Sequence, residues 1–275
     1  NHYELDEDAS LIDPRLRGKY VLVMEKAERD MTDSLAHDGV AGRDRESIVR
    51  MLHDVISALL YFNDQLSHVH GDVKPRNFVE TISNGKSRWK AIDLDAAVAH
   101  NSQLSSKCST GFISTEIARA LLHQDGPESI AAAAGHDMFA AGMLLFQLCS
   151  EDGSSLFFCN QADNLVEHDN LIDLATRWNV VKHKKLLRVP WADARDLCLW
   201  MLQDEPMNRP PNFATVLQHP FLAGGDAIPL RFPSYRGLTL PHGQLYHFFL
   251  SHNQKEAGDV AHTLFETLAA MGLYI

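Results

Sequence analysis

The segment His70-Gly71-Asp72-Val73-Lys74-Pro75-Arg76-Asn77 decides how this sequence is interpreted. It supplies a carboxylate that can orient a hydroxyl group and accept its proton, an ammonium group that can neutralise phosphate charge, and an amide oxygen that can help to hold magnesium. Phosphoryl transfer depends on positioning and charge compensation of this kind, with little covalent help from the protein. Because Pro75 limits backbone freedom, we expect Asp72, Lys74 and Asn77 to lie on one rigid loop.

The sequence on either side of this segment predicts a helix before it and a β-hairpin after it. From Arg45 to Leu66 apolar residues recur at three- and four-residue steps, which is typical of a long amphipathic helix. Candidate strands at residues 77–82 and 88–92 surround Asn84-Gly85, a strong hairpin signal. Directly after the second strand comes Asp93, a carboxylate whose hard oxygens can bind magnesium.

Farther along the chain, helical patterns return after a loop rich in Ser, Thr and Gly at residues 96–113. Residues 137–148 are apolar on every side, which predicts a helix at the centre of a helical lobe. Residues 192–202 predict another amphipathic helix, and a short helix near residues 213–217 is expected to end at His219-Pro220.

Together these features resemble the catalytic loop of eukaryotic-type protein kinases, H-R-D-x-K-P-x-N, followed by the D-F-G position. The resemblance implies that Asp72 is the catalytic base, that Lys74 contacts the γ-phosphate of ATP, and that Asn77 and Asp93 bind Mg²⁺. Lys74, two residues after the base, matches the serine/threonine-type enzymes. The implied reaction transfers the γ-phosphate of ATP to Ser or Thr hydroxyls of a protein substrate. The alternative, a polar loop with a chance likeness, is disfavoured by five matched positions.

Two other places resemble the nucleotide pocket of the family. Met24-Glu25-Lys26-Ala27 resembles the gatekeeper and hinge, so Met24 is the expected gatekeeper and the backbone groups of Glu25 and Ala27 are expected to bond adenine. Val79, just past the catalytic loop, is expected to pack under the adenine ring. A strand valine can equally be a core residue, and that alternative stays open.

Four residues are implied to have structural roles. Ser109–Glu116 resembles the substrate-binding end of the activation segment, and Glu116 is expected to form a buried, bidentate ion pair with Arg209. Asp137 matches the aspartate that holds the backbone of the catalytic loop, and an N-cap of the following helix is a compatible alternative. His70, which opens the catalytic motif, is assigned a structural role.

The departures from the family pattern carry information of their own. Gly71 replaces the arginine of H-R-D, so no cation adjoins the base to receive an activation-loop phosphate, and we expect any activity to be independent of phosphorylation there. Asp95 replaces the glycine of D-F-G, where a side chain resists the backbone torsions that glycine permits. Its carboxylate also changes the predicted magnesium site. Thr115, in place of the proline of A-P-E, is a milder change.

The resemblance implies a mainly α fold: a kinase C-terminal lobe with small β-hairpins, α+β overall, followed by a truncated α/β unit. Residues 1–24 are expected to be a remnant of the N-terminal lobe, and residues 25–223 the hinge and C-terminal lobe. Residues 224–243 carry Gly, Pro and Arg without periodicity and are expected to be a linker. Residues 244–275 are expected to begin a TIR-like domain.

The glycine-rich phosphate loop and the strand lysine of the family do not occur ahead of Tyr20. We therefore expect this chain to be a fragment that does not phosphorylate substrates by itself, with those parts upstream. The TIR-like expectation rests on Tyr246–Ile275, where F-F-L-S-H precedes a helical pattern, and any flavodoxin-like βα unit would give a similar one. TIR–TIR association is the partner that this resemblance implies.

Composition excludes several other classes. The formal net charge of −11 disfavours nucleic acid and anionic lipid as partners. The longest apolar stretch, around residues 138–146, is too short for a membrane segment. The four cysteines are scattered and form no Cys-x-x-Cys, which favours reduced thiols and a cytoplasmic location over a disulfide framework or zinc site.

Two non-catalytic functions remain as alternatives to the protein serine/threonine kinase. The first is a pseudokinase that serves as a signalling scaffold, which Gly71 and Asp95 motivate. The second is an adaptor whose purpose is TIR–TIR association. The presence of Asp72, Lys74, Asn77 and Asp93 favours the enzyme, because a scaffold needs none of these four side chains.

Overall fold

A computed structural model describes residues 26–83 and 85–224. The described residues belong to two units, which are treated separately below. Among the described residues, the larger unit includes 27–83, 85–91 and 96–224, and the other includes the short segment Ile92–Asp95. The larger unit carries all of the helices and strands described here.

Several predictions fall outside the described residues. These are the N-terminal remnant at residues 1–24, Glu25 of the hinge, and the α/β unit at residues 244–275. The linker at residues 224–243 also lies outside, apart from Gly224. All of them stay predictions.

The strands of the larger unit form two small antiparallel sheets. One has the order β1-β3-β4, and the other pairs β2 with β5. The strands are β1 (Arg29–Asp30), β2 (His68–Val69), β3 (Phe78–Ser83), β4 (Lys86–Ala91) and β5 (Val98–Ala99).

The hairpin predicted around Asn84-Gly85 is confirmed by the pairing of β3 with β4. Its register runs from Phe78 opposite Ala91 to Ser83 opposite Lys86. Gly85 has a φ of +71°, a left-handed conformation that glycine adopts without a steric cost. Because β3 begins at Phe78, the hairpin starts directly after Asn77, the last residue of the predicted catalytic loop.

Helices predominate in the described part of the chain, as predicted. They are α1 (Met31–His37), α2 (Arg45–Leu60), α3 (Thr115–Leu122), α4 (Ala134–Cys149), α5 (His168–Thr176), α6 (Trp178–Leu186), α7 (Ala192–Met201), α8 (Phe213–Leu217) and α9 (Pro220–Ala223). Among residues 26–83 and 85–224, no helix is both long and apolar enough to cross a membrane.

The long amphipathic helix before the catalytic loop is α2, and it ends earlier than predicted. Asp44 caps it by accepting a hydrogen bond from the Ser47 N–H. The chain then continues as a π-helical turn at Tyr61–Gln65. Such turns are rare and often occur at functional sites, and this one presents Asn63 to a neighbouring carboxylate, as described below.

The helix that is apolar on every side is α4, and it lies in the centre of the larger unit. Gly142 permits a close approach of α7, because a Cβ at this position would lie only 2.9 Å from Met201 Cβ. Phe139 packs against Trp178, with ring centroids 5.8 Å apart. The indole N–H of Trp178 donates to the Leu202 carbonyl oxygen at 2.8 Å. This packing makes α4 a rigid support for the loops at its N-terminal end.

Candidate active site

The predicted catalytic loop connects β2 to β3 through a tight turn. Pro75 to Asn77 form one 3₁₀ turn with the proline at its start, a position where its fixed φ fits and its missing N–H is not needed. The Asn77 N–H donates to the Lys74 carbonyl oxygen at 3.0 Å. The turn brings the side chains of Lys74 and Asn77 to Asp72.

The carboxylate of Asp72 is the centre of the polar network. Lys74 Nζ lies 2.7 Å from Asp72 Oδ2, and Asn77 Nδ2 donates to this oxygen (3.1 Å) and to the Asp72 carbonyl oxygen (2.8 Å). The Ser109 N–H donates to Asp72 Oδ1 (3.1 Å), and Lys74 Nζ donates to Ser109 Oγ (2.8 Å). The three residues predicted to carry the chemistry therefore share one network, and Ser109 joins them.

The predicted magnesium ligands are divided between the two units. Because Asn77 Nδ2 donates to Asp72, Oδ1 of the same amide is the atom that could bind a metal. Asp93 has a φ of +61°, a left-handed conformation that is uncommon for a residue other than glycine. It belongs to the other unit, together with Asp95. The convergence of Asp93 with Asn77 stays a prediction.

Asp137 holds the backbone of the catalytic loop. Its carboxylate accepts hydrogen bonds from the N–H groups of His70 (2.7 Å) and Gly71 (3.0 Å) and from Asn63 Nδ2 (2.9 Å). The alternative N-cap role was wrong, because the cap of α4 is Ala133 and Asp137 lies inside the first turn. Asp137 lies one turn beyond the cap, and from there its side chain accepts hydrogen bonds from the loop instead of capping its own helix.

His70 is fully buried beneath the catalytic loop. Its ring lies between those of Phe62 and Phe78, with centroids 5.9 and 6.4 Å away. The Asp72 N–H donates to His70 Nδ1 over 3.4 Å. These contacts are consistent with the structural role assigned to His70, because the ring supports the loop from below.

Gly71 adopts a conformation that excludes the arginine of the family pattern. Its φ is +79°, and a Cβ there would lie 2.6 Å from the Ala96 carbonyl oxygen. Residues other than glycine resist this left-handed region, and the carbonyl belongs to the backbone and cannot move aside like a flexible side chain. The path of the loop therefore requires glycine at this position. Its presence reflects a backbone constraint as well as the absence of the arginine charge.

Arg209 and Glu116 form the predicted bidentate pair. Arg209 donates from one terminal nitrogen to Glu116 Oε1 (2.9 Å) and from the other to Oε2 (2.5 Å). It also donates to the carbonyl oxygens of Gln203 (2.8 Å), Asp204 (3.0 Å) and Gly135 (2.9 Å). Burial acts to raise the pKa of Glu116, but the hydrogen bonds and charge of Arg209 outweigh it and hold the pKa below the ordinary value.

Of the predicted nucleotide contacts, Ala27 and Val79 are described. Both are half-buried. Val79 lies in β3, opposite Asp30 of β1 and Lys90 of β4. Since it is only half-buried, it is not an ordinary residue of the closed core, and its contact with adenine stays a prediction.

Sequence reasoning missed three polar residues of this region. Asn63 supports Asp137 from the π-helical turn, Ser109 bridges the loop network, and Asp163 Oδ2 lies 3.4 Å from Arg76 Nε. Each contact joins residues far apart in the chain, so no local pattern could have indicated it.

Cys108 lies near Asp72 and is held in the neutral thiol form. Burial and, to a smaller extent, the negative charge of Asp72 raise the pKa of Cys108 to about 11. A thiolate is the reactive form of cysteine. The thiol of Cys108 is therefore harder to deprotonate than that of an exposed cysteine.

Comparisons with known proteins give one family match and matches among solved structures. The family model described as protein kinase domain matches residues 13–222. Comparison with curated protein sequences gives no match. Among solved structures, the chain is similar to the Rad53 kinase domain and SCD2 in complex with AMPPNP. The TM-score is 0.51, the sequence identity is 20%, and the alignment covers 74% of this chain and 69% of that chain. At this identity the likeness concerns the fold alone.

Proposed function

The chain belongs to the protein kinase domain family, and from this premise we propose that it serves the transfer of the γ-phosphate of ATP to Ser and Thr hydroxyls of proteins. The observation that carries the proposal is the network of Asp72, in which one carboxylate, one ammonium group and one side-chain amide meet on a single loop. The AMPPNP in the similar Rad53 complex supports ATP as the nucleotide.

Asp72 is the proposed catalytic base. Its carboxylate is pre-oriented by the Ser109 N–H and the Asn77 amide, so that a substrate hydroxyl entering the network would donate its proton to a fixed oxygen. Lys74 would shift from Asp72 towards the transferring phosphoryl group and compensate its negative charge. The position of Lys74, two residues after Asp72, is the feature that supports serine/threonine-type chemistry.

Magnesium fits the oxygen donors that this proposal assigns. Asn77 Oδ1 and the carboxylate of Asp93 are hard ligands of the kind that Mg²⁺ prefers, and these are the residues that would hold the ion. When bound, the ion supplies charge neutralisation on the nucleotide phosphates. The protein's own residues orient the hydroxyl and accept its proton.

The remaining assignments belong to the same proposal. Adenine would bind beside Met24, Glu25, Ala27 and Val79, and a protein substrate would lie near residues 109–112. We further propose a cytoplasmic location and, for residues 244–275, a TIR-like unit that associates with others of its kind.

A pseudokinase scaffold is the second candidate, and Asp95 favours it. Its carboxylate replaces a glycine close in sequence to the proposed ligand Asp93, and added negative charge there would alter metal binding. A scaffold of this class would bind partners through the kinase fold without phosphoryl transfer.

A transfer assay distinguishes the two candidates. The protein expressed from its complete coding sequence, its Asp72→Asn variant and the control Asp169→Asn, an exposed aspartate of α5, would be incubated with labelled ATP, Mg²⁺ and a Ser/Thr-containing acceptor. We expect Asp72→Asn to lose roughly 10²–10⁴-fold in rate, the usual contribution of a general base. Equal rates for the parent and Asp72→Asn would dismiss catalysis by this site.

A further inference from the structure

Residues 158–166 form a short hairpin beyond α4, called here the 158–166 hairpin. Its own hydrogen bonds hold it in shape. Cys159 and Leu165 face each other in an antiparallel bridge. At the tip, Asn160 Oδ1 accepts from the N–H groups of Ala162 (2.9 Å) and Asn164 (3.1 Å). Side chains that bond their own backbone in this way fix a turn before any partner binds.

The preformed hairpin is bonded to Thr110 in the segment that the proposed function assigns to the protein substrate. Asn164 Oδ1 accepts hydrogen bonds from the Thr110 N–H (3.0 Å) and from Thr110 Oγ1 (3.2 Å). In return, the Leu165 N–H donates to Thr110 Oγ1 at 2.8 Å. These bonds are reciprocal and cover both the backbone and the side chain of Thr110, so they define its orientation.

The next residue, Gly111, lets the two segments come this close. Its N–H donates to the Asp163 carbonyl oxygen at 2.9 Å. A Cβ on Gly111 would overlap with Cys159 Sγ and lie 2.6 Å from the Asp163 carbonyl oxygen. Glycine therefore fits this contact, whereas any residue with a Cβ would force the neighbouring atoms to move.

The tip of the hairpin also reaches the catalytic loop. Asp163 Oδ2 lies 3.4 Å from Arg76 Nε and 3.8 Å from Lys74 Nζ. Arg76 also donates to the Gln161 carbonyl oxygen at 3.1 Å. One small hairpin is thus bonded at the same time to the substrate segment and to the loop that carries the proposed base.

We propose that the 158–166 hairpin is a clamp that fixes residues 109–111 against the catalytic loop, with Asn164 and Asp163 as positioning residues for acceptor binding. This inference rests on the proposed function. In the family pattern an arginine precedes the base, but the backbone at Gly71 excludes that side chain. The clamp supplies order to the substrate segment through hydrogen bonds that need no phosphorylation.

The test uses variants at Asn164, because only its acceptor oxygen takes part in the bonds to Thr110. Asn164→Leu removes the acceptor at similar size, whereas Asn164→Asp keeps it. The matched control is Asn179→Leu, at an exposed asparagine at the start of α6. Thr110→Val removes the hydroxyl on the other side of the contact.

In the transfer assay, Asn164→Leu should raise the KM for the protein acceptor about tenfold, a factor consistent with the loss of two modest hydrogen bonds. The KM for ATP should stay within twofold. Asn164→Asp should recover most of the loss, and Asn179→Leu should match the parent. The double variant Asn164→Leu/Thr110→Val should have an acceptor KM no higher than that of the more affected single variant. An unchanged acceptor KM, or equal increases in both KM values, would overturn the proposal.

Hydrogen exchange separates the clamp from the proposed function. The amides of Thr110 and Gly111 should exchange about tenfold faster in Asn164→Leu than in the parent or Asn179→Leu, with or without nucleotide. Unchanged exchange rejects the clamp even in an active kinase. Faster exchange in a protein without phosphoryl transfer retains the clamp as a structural element and rejects the proposed function instead.

Discussion

Two aspartates lie at the predicted catalytic loop: Asp72 is part of the loop, and Asp137 accepts hydrogen bonds from its backbone. Their carboxylates have different kinds of partner. Asp137 is 1% exposed, and its carboxylate accepts from neutral N–H groups of His70, Gly71 and Asn63. The side chain of Asp72 is 14% exposed and forms an ion pair with Lys74. The same side-chain type is therefore a buried acceptor of neutral N–H donors in one place and a partly exposed partner of a lysine in the other.

The difference follows from what each carboxylate loses when its surroundings change. Removal of a buried acceptor leaves its N–H donors, here two backbone groups and one side-chain amide, unsatisfied unless water takes its place. A partly exposed carboxylate beside a lysine can exchange its partner for a substrate or for solvent. Stability should therefore depend on Asp137, and chemistry should depend on Asp72.

The strongest test of this comparison is Asp137→Ala. Three N–H donors would lose their acceptor, and at about 1–3 kcal/mol for each unsatisfied group we expect the free energy of unfolding to fall by about 4 kcal/mol. Urea unfolding measures this change, with Asp169→Ala as the exposed control. A loss smaller than about 1 kcal/mol would show that water replaces the carboxylate.

Gly71 supplies the next largest effect. Gly71→Ala combines left-handed strain with a clash against the Ala96 carbonyl oxygen, whereas Gly39→Ala meets a φ of +62° with nothing within 4 Å. We expect losses of about 3 and about 1 kcal/mol in the free energy of unfolding. The difference between the two variants isolates the clash, and equal losses would mean that the backbone at Ala96 yields without cost.

Glu116 extends the comparison to a buried carboxylate that is paired with a cation. Its pKa in the folded protein lies below the ordinary value of 4.5 because of Arg209, against the effect of burial. In acid the unfolded chain therefore binds more protons at this group, so stability falls as the pH drops below about 4.5 towards the folded pKa. Glu116→Gln should flatten that part of the curve of unfolding free energy against pH.

The exposed Glu205 provides the control for this titration. Glu205→Gln removes an exposed carboxylate without touching Arg209, so Glu116→Gln is compared with it as well as with the parent protein. If Glu116→Gln left the slope unchanged, Arg209 would not be stabilising the charged form of Glu116.

The smallest expected effect on stability is that of Asp72→Asn. Because its carboxylate is partly exposed and its main partner is a lysine, we expect the free energy of unfolding to change by no more than about 1 kcal/mol. Thermal and urea unfolding of the variant used in the transfer assay would measure this. A loss comparable with that of Asp137→Ala would remove the distinction between the two aspartates.

The catalytic loop could be predicted from the sequence because its determinants are contiguous. Asp72, Lys74 and Asn77 lie within a few residues, and the proline between them already implies a turn. The α4 helix and the β3–β4 hairpin were also predictable, since an apolar run and an Asn-Gly pair are local signals. In each of these cases the information and the structure share the same short segment.

What could not be predicted depends on contacts between distant segments. The π-helical turn at Tyr61–Gln65 interrupts a pattern that otherwise continues to Leu66, and it is stabilised by the bond from Asn63 to Asp137 across 74 positions. The bonds between Thr110 and Asn164 span 54 positions. The sequence did not predict the helix α9. His219-Pro220 indicates the end of the preceding helix, but Pro220 also occupies the first position of a new one.

The conformation of Gly71 has a consequence for redesign of this loop. A single substitution cannot restore the arginine of the family motif, because any side chain at this position meets the carbonyl of Ala96 before its charge can be of use. The backbone around residue 96 would have to move before such a side chain could be accommodated. Installing the arginine in this protein would therefore take at least two coupled changes, one at residue 71 and one that relocates the Ala96 carbonyl.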